Sequence, residues 1–211
     1  MNAQDPLRIL LIDKDSDRAS LVKLALEQEG HEVISQRPDA TGLTAAVARD
    51  EPDMVIIDMD LPDRDTLENM STLNAHAPRP IVFCANEPAD RTTIRAAMHA
   101  GVSAYVMDGI QPDRVRSIID SAVVQFESFQ ALRTELAETR TALEDRKLIE
   151  RAKGLIMKRE GCDEDAAYQV LRKSAMDHSE RLAVIAERVI ELLTPENGTA
   201  TADGRKLKHA S

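Results

Sequence analysis

Over the first half of the chain, short apolar runs alternate with segments in which apolar residues recur every three or four positions. The runs Arg8–Ile12, His31–Ile34, Met54–Ile57, Pro80–Phe83 and Ala104–Met107 are rich in Ile, Leu and Val. Such near-continuous runs suit strands covered on both faces of a parallel sheet. Helical segments between them, joined by right-handed crossovers, predict a doubly wound (βα)5 domain over residues 1–120. Ligand chemistry in such a sheet sits beyond the strand C-termini.

After Pro112 the period changes. Val115, Ile118, Ile119, Ala122, Phe126, Phe129, Leu132, Leu136 and Leu143 recur at three- and four-residue intervals without Pro or Gly, which predicts one continuous helix from about Pro112 to Arg159. Ala122, Phe129, Leu136 and Leu143 occupy one heptad position, and Ile118, Gln125, Leu132, Thr139 and Arg146 the other. This is a coiled-coil-like seam with polar interruptions, and residues 121–145 read as a helical linker.

The pattern then shortens into three helices. Leu148, Ile149, Ala152, Leu155 and Ile156 keep helical spacing until Gly161 supplies a stop. Asp163 offers an N-cap to a second helix carrying Ala166, Ala167, Val170, Leu171, Ala175 and Met176. Ser179 is placed to cap a third, with Leu182, Ile185, Ala186, Val189, Ile190 and Leu193 inward, and Pro195 marks its end. Three helices of this size bury little surface alone, so residues 146–194 are expected to lean on the preceding helix or on a second copy. The stretch 195–211 has no periodicity and reads as a disordered tail, with Arg205, Lys206 and Lys208 available for weak attraction to a polyanion.

Composition narrows the class. The 211 residues, 30% charged, fit one medium and one smaller folded domain. The chain has no apolar run near the length of a membrane span and no signal-peptide pattern, which points to the cytoplasm. Cys84 and Cys162 lack metal-type spacing and are expected to be buried free thiols. The net charge of −10 speaks against general nucleic-acid affinity, but residues 146–193 hold ten bases against nine acids, so the acidity lies upstream. No nucleophile–base pair, metal cluster or phosphate loop is present, so no catalytic residue and no metal site is expected.

The run Arg146-Lys147-Leu148-Ile149-Glu150-Arg151-Ala152-Lys153-Gly154-Leu155-Ile156-Met157, followed by Ala166-Ala167-Tyr168-Gln169-Val170-Leu171-Arg172-Lys173-Ser174-Ala175-Met176, resembles the signature of the ANTAR family from about Leu143 to Leu193. These are all-helical RNA-binding modules of bacterial transcription antiterminators. The resemblance implies RNA contact at Arg146, Lys153, Tyr168 and Arg172, and the neighbouring Lys147, Arg151, Lys158 and Lys173 extend the basic stretch. Ala152, Gly154, Ala167, Ala175 and Met176 would shape the module, small residues allowing close approach of a helix or of RNA. Met157 and Met176 suit the core. With Tyr168 as its one aromatic, the module has no stacking platform, and recognition is expected to rest on hairpin shape and phosphates.

Residues 7–120 resemble a response-regulator receiver domain. Asp58, in Ile57-Asp58-Met59-Asp60-Leu61-Pro62, stands where that family carries its phosphoacceptor. Three helpers depart. The acidic pair expected to hold magnesium reads Asp13-Lys14, with Asp15 a substitute only if the loop shifts. The hydroxyl residue after the fourth strand is Cys84, a poorer donor to a phosphoryl oxygen. Asp108 takes the place of the phosphate-binding lysine, adding a third acid. These changes predict that Asp58 is not phosphorylated, that Lys14 neutralises the carboxylate cluster directly, and that no cofactor, magnesium included, is required.

Ser103-Ala104-Tyr105-Val106-Met107-Asp108-Gly109 and Pro62-Asp63-Arg64-Asp65-Thr66-Leu67-Glu68 look most like the nitrate-responsive regulators of nitrate/nitrite assimilation. That resemblance implies a homodimer that binds stem-loops in a leader mRNA, prevents formation of the terminator, and is held in check by a sequestering sensor protein. Two other readings remain: a phosphorylation-controlled regulator with nucleic-acid-binding output, and a protein-interaction adaptor built on the long helix.

Overall fold

The computed structural model describes residues 5–107 and 109–194. The expected disordered tail from Pro195 onward and Asp108 lie outside the described residues. Two compact units divide the chain, one ending at Leu132 and one beginning at Arg133.

In the first unit, β1 (Arg8–Asp13), β2 (Glu32–Arg37), β3 (Met54–Met59), β4 (Ile81–Ala85) and β5 (Ala104–Met107) form one parallel sheet in the order β2-β1-β3-β4-β5. The helices α1 (Ser16–Gln28), α2 (Leu43–Asp50), α3 (Arg64–His76) and α4 (Arg91–His99) follow the strands in turn. Alternation along the strands sorts their side chains into two cores. Leu10, Ile12, Val55, Ile57, Ile81 and Phe83 pack with Leu43, Met70, Leu73 and Ala97 on the α2, α3 and α4 face. Ile9, Leu11, Met54, Ile56, Val82 and Cys84 pack with Val22, Leu26, Ile118, Ile119 and Ala122 on the other. Each fully buried Ile, Leu or Phe contributes roughly 1.5–3 kcal/mol against exposure. At the sheet edge β2 is only half-buried, which is why it carries Ser35, Gln36 and Arg37.

A single 3-10 turn, Pro112–Arg114, leads into α5, one 46-residue helix from Val115 to Glu160. Its predicted seam starts later than the sequence suggests. Ile118 and Ala122 are buried in the receiver-like core, whereas Phe129, Leu132, Leu136 and Leu143 are about half or more exposed. Gly161, with φ of 65°, ends the helix and returns its N–H to the Met157 carbonyl.

The second unit adds α6 (Glu164–His178) and α7 (Leu182–Leu193). Asp163 caps α6 as expected, its carboxylate accepting the Ala166 N–H at 2.8 Å. Ser179 does not cap α7. It closes α6 in the left-handed conformation, φ 54°, while Arg181 opens α7 without a side-chain cap. The core is thin and rich in alanine: Ala152, Ala167, Ala175 and Ala186 pack with Ile156, Leu171, Ile185 and Ile190. Met176 is corrected from core to surface, at 69% exposed, and Val170 is also outward. Cys162 is half-buried beside this core, and Cys84 is fully buried, both as free thiols. Among the described residues, no helix is long and apolar enough to cross a membrane.

Candidate receiver pocket and nucleic-acid interface

Strand register brings the first set of residues together. Asp13 pairs with Asp58 and Asp58 with Cys84, so all three stand side by side at the C-terminal end of the sheet, on the face covered by α1. Asp58 is fully buried. Its Oδ1 accepts a hydrogen bond from Asn86 Nδ2 at 2.7 Å, while its Oδ2 has no hydrogen-bond partner among the described residues. Burial pushes the Asp58 carboxyl above its ordinary range, against the opposing pull of Asn86 and Arg18. Burial, and secondarily the Asp58 and Asp13 charges, push the Cys84 thiol well above its ordinary value, so it stays protonated.

The cation of this pocket is Arg18, which the sequence reading missed. Asp15 caps α1 by accepting the Asp17 and Arg18 N–H groups, and the first turn of that helix then carries Arg18 over the strand ends. Its guanidinium donates from Nε and Nη2 to the two Asp13 oxygens at 2.9 and 2.6 Å, a forked pair, with Nε also 3.2 Å from Asp58 Oδ1. A base five residues after Asp13, behind a capping Asp, was the available sequence signal. One expectation is corrected. Lys14 is exposed and pairs with Asp60 at the rim, so it does not neutralise Asp13 and Asp58. Asp15 serves α1 as its N-cap, and the Arg18 and Asp17 amides hold its pKa below the ordinary value. Asp108 lies outside the described residues.

Magnesium, which receiver domains ordinarily hold, does not fit this arrangement. The ion needs carboxylate oxygens at about 2.0–2.1 Å in near-octahedral geometry. Here both Asp13 oxygens and Asp58 Oδ1 already face one guanidinium, and the second acid of the pair is a lysine turned toward Asp60. Among the described residues, no group of three His, Cys, Asp or Glu side chains is placed to hold a metal ion.

In the second unit, ion pairing separates the bases into two kinds. Lys153 is buried, 7% exposed, and its ammonium donates to Glu150 at 2.9 Å and to Glu164 of α6 at 2.6 Å. Those glutamates raise its pKa above the ordinary 10.5. Its geometry is that of a tie between α5 and α6. Arg181 pairs with Asp145, Arg188 with Glu180 and Arg159 with Glu160. By contrast, Arg146, Lys147, Arg151, Lys158, Arg172 and Lys173 are exposed and make no ion pair among the described residues.

Lys147, Arg151, Gly154 and Lys158 share one stripe of α5 at helical spacing. A Cβ at Gly154 would meet nothing within 4 Å, so its lack of a side chain leaves a bare strip of helix between basic neighbours. Tyr168 and Arg172, four residues apart on α6, are both exposed. A surface of this kind can lie along a phosphate backbone without reading bases.

Comparison with known proteins agrees with both units. Residues 9–120 match the response regulator receiver domain family, and residues 137–190 the ANTAR domain family. The transcriptional regulatory protein PdtaR of Mycobacterium tuberculosis is 31% identical over 198 residues, 93% of this chain and 96% of that protein. The nitrate regulatory protein of Klebsiella oxytoca is 44% identical over 66 residues, covering 31% of this chain and 17% of that protein. In fold, the chain is similar to the signal receiver domain of a modulated diguanylate cyclase from Desulfovibrio desulfuricans. The TM-score is 0.51 at 20% identity, covering 58% of this chain and 98% of that one. With a receiver sheet followed by RNA-binding ANTAR helices, and a relative matched over nearly its whole length, the chain belongs to the ANTAR-domain response regulators, a non-enzymatic family.

Proposed function

We propose that this protein is a transcription antiterminator that binds stem-loops in leader mRNA and prevents the terminator hairpin from forming. The observation that carries the reading is the stripe of Lys147, Arg151 and Lys158 around Gly154, without an ion pair among the described residues and set apart from the ion-paired Lys153, Arg181 and Arg188. A protein that binds one RNA fold and not its competitor shifts the balance by its differential affinity, without catalysis. Arg146, Tyr168, Arg172 and Lys173 extend this surface, with Lys153 holding the helices behind it.

The protein acts as a homodimer. Phe129, Leu132, Leu136 and Leu143 form an exposed apolar seam on α5 that a second copy would cover, and two linked modules gain avidity on two suitably spaced hairpins. Control is by a sequestering sensor protein rather than by phosphorylation of Asp58. The pocket around that residue supports this, since its cation is supplied by Arg18 and its thiol by Cys84. Nitrate/nitrite assimilation genes are the targets, a reading supported by the segments at residues 62–68 and 103–109 and by the similarity to the Klebsiella oxytoca nitrate regulatory protein.

The test is binding of the full chain, without a phosphodonor, to a pool of tandem-hairpin RNAs with randomised loops, against single hairpins and duplex DNA. Selective retention of tandem hairpins is expected. Equal binding to duplex DNA would sink the RNA reading, and tandem binding that appears only after acetyl phosphate would favour phosphorylation control.

A further inference from the structure

We propose that Arg18 is a built-in counter-ion that takes the place of the divalent cation in the receiver pocket, so that the ground state of this pocket is metal-free by construction. Occupancy of the carboxylates by Arg18 is independent of which RNA the chain binds. The two carboxylates at the strand ends, Asp13 and Asp58, are 4% and 0% exposed, and the guanidinium that reaches them is tethered by the capped first turn of α1. Its forked bond to Asp13 uses both oxygens of that carboxylate, and its Nε approaches the one Asp58 oxygen that Asn86 also holds.

A cation delivered by the chain is present at an effective concentration that a free ion cannot match, because its translational freedom was surrendered on folding. The planar fork also suits a carboxylate better than a point charge does. Neutralisation is partial, with one guanidinium facing two carboxylates. Lys14 does not supply the second charge in this arrangement, facing Asp60 at the rim instead. The remaining Asp58 oxygen, buried without a hydrogen-bond partner among the described residues, marks where the pocket stays electrically unsatisfied.

If Arg18 holds the metal position, its removal should create a metal site that the natural chain lacks. Mn2+ is the probe, titrated calorimetrically into the full-length protein, wild type and Arg18→Gln. The wild type is expected to show no saturable binding at millimolar Mn2+. Arg18→Gln is expected to bind one Mn2+ about tenfold tighter or more, because a guanidinium charge a few ångströms away opposes a dication strongly at any effective protein dielectric. Adding Asp13→Asn to that variant should abolish the gain.

Saturable one-site binding by the wild type, lost in Asp13→Asn, would overturn the proposal, as would a folded Arg18→Gln that binds no Mn2+. A second measurement needs no variant to fold: the Arg18 Nε–H resonance of the wild type should be protected from solvent exchange and unmoved by millimolar Mg2+. A saturable shift of that resonance would show the ion displacing the guanidinium. Neither result bears on hairpin binding, so failure here leaves the antiterminator reading standing.

Discussion

If RNA lies along the α5 stripe, the salt dependence of binding should distinguish the free cations from the paired ones. Lys147, Arg151 and Lys158 are exposed and without an ion pair among the described residues, whereas Arg181 and Arg188 already face Asp145 and Glu180. A cation that neutralises a phosphate releases condensed counterions. Its loss flattens the dependence of log K on log salt by about 0.7–0.9 per contact, or roughly 2–3 for all three. Across a fourfold change in salt, the triple variant Lys147→Ala, Arg151→Ala, Lys158→Ala should therefore lose about 20- to 40-fold less affinity than the wild type does. Arg181→Ala with Arg188→Ala should leave the slope where it was. Fluorescence anisotropy with a selected tandem hairpin, over a salt series, reads both. Equal slopes for the wild type and the triple variant would refute the placement of RNA on this stripe. So would a similar flattening by the paired arginines, which would mean that charge anywhere on the unit serves.

Three further perturbations test other parts of the account. Asp163→Ala removes the acceptor of the Ala166 N–H and should destabilise the second unit by about 1 kcal/mol, read by urea unfolding; an unchanged midpoint would mean that the cap is not used in solution. Leu136→Glu with Leu143→Glu places charges on the exposed seam of α5 and should yield a monomer in sedimentation velocity and erase the preference for tandem over single hairpins, whereas a persistent dimer would locate the interface elsewhere. His31 accepts the Leu7 N–H at its Nδ1, and burial holds its pKa below the ordinary 6.5. The unfolded chain therefore takes up the proton first, so its contribution is complete above pH 6.5 and is lost as pH falls toward the folded-state pKa. Urea midpoints at stepped pH should show that decline in the wild type and less of it in His31→Asn, and a rise on acidification would contradict the assignment.

Periodicity carried most of the architecture because strands covered on two faces have little choice of composition. Where that constraint relaxes, periodicity says less. The second strand runs to Arg37, past its apolar run, because at the sheet edge one side can be polar. Ser179 has the chemistry of an N-cap, but the tight link between α6 and α7 needed a left-handed residue there. Met176 is outward because, nine positions along α6 from the buried Ala167, it falls on the opposite face of the helix.

The site residues divided in the same way. Asp13, Asp58 and Cys84 follow from strand ends in register. Arg18 was hidden because its role depends on how α1 leaves β1, and the tie of Lys153 to Glu164, eleven positions away, was hidden because the two meet only through the fold.

The most direct measurement is single-round transcription through a terminator preceded by a selected tandem hairpin, with purified full-length protein and no phosphodonor. The account expects read-through to rise with protein concentration, to be unaffected by acetyl phosphate, and to be lost with the α5 triple variant. Unchanged termination at saturating protein, or read-through that requires the phosphodonor, would contradict it.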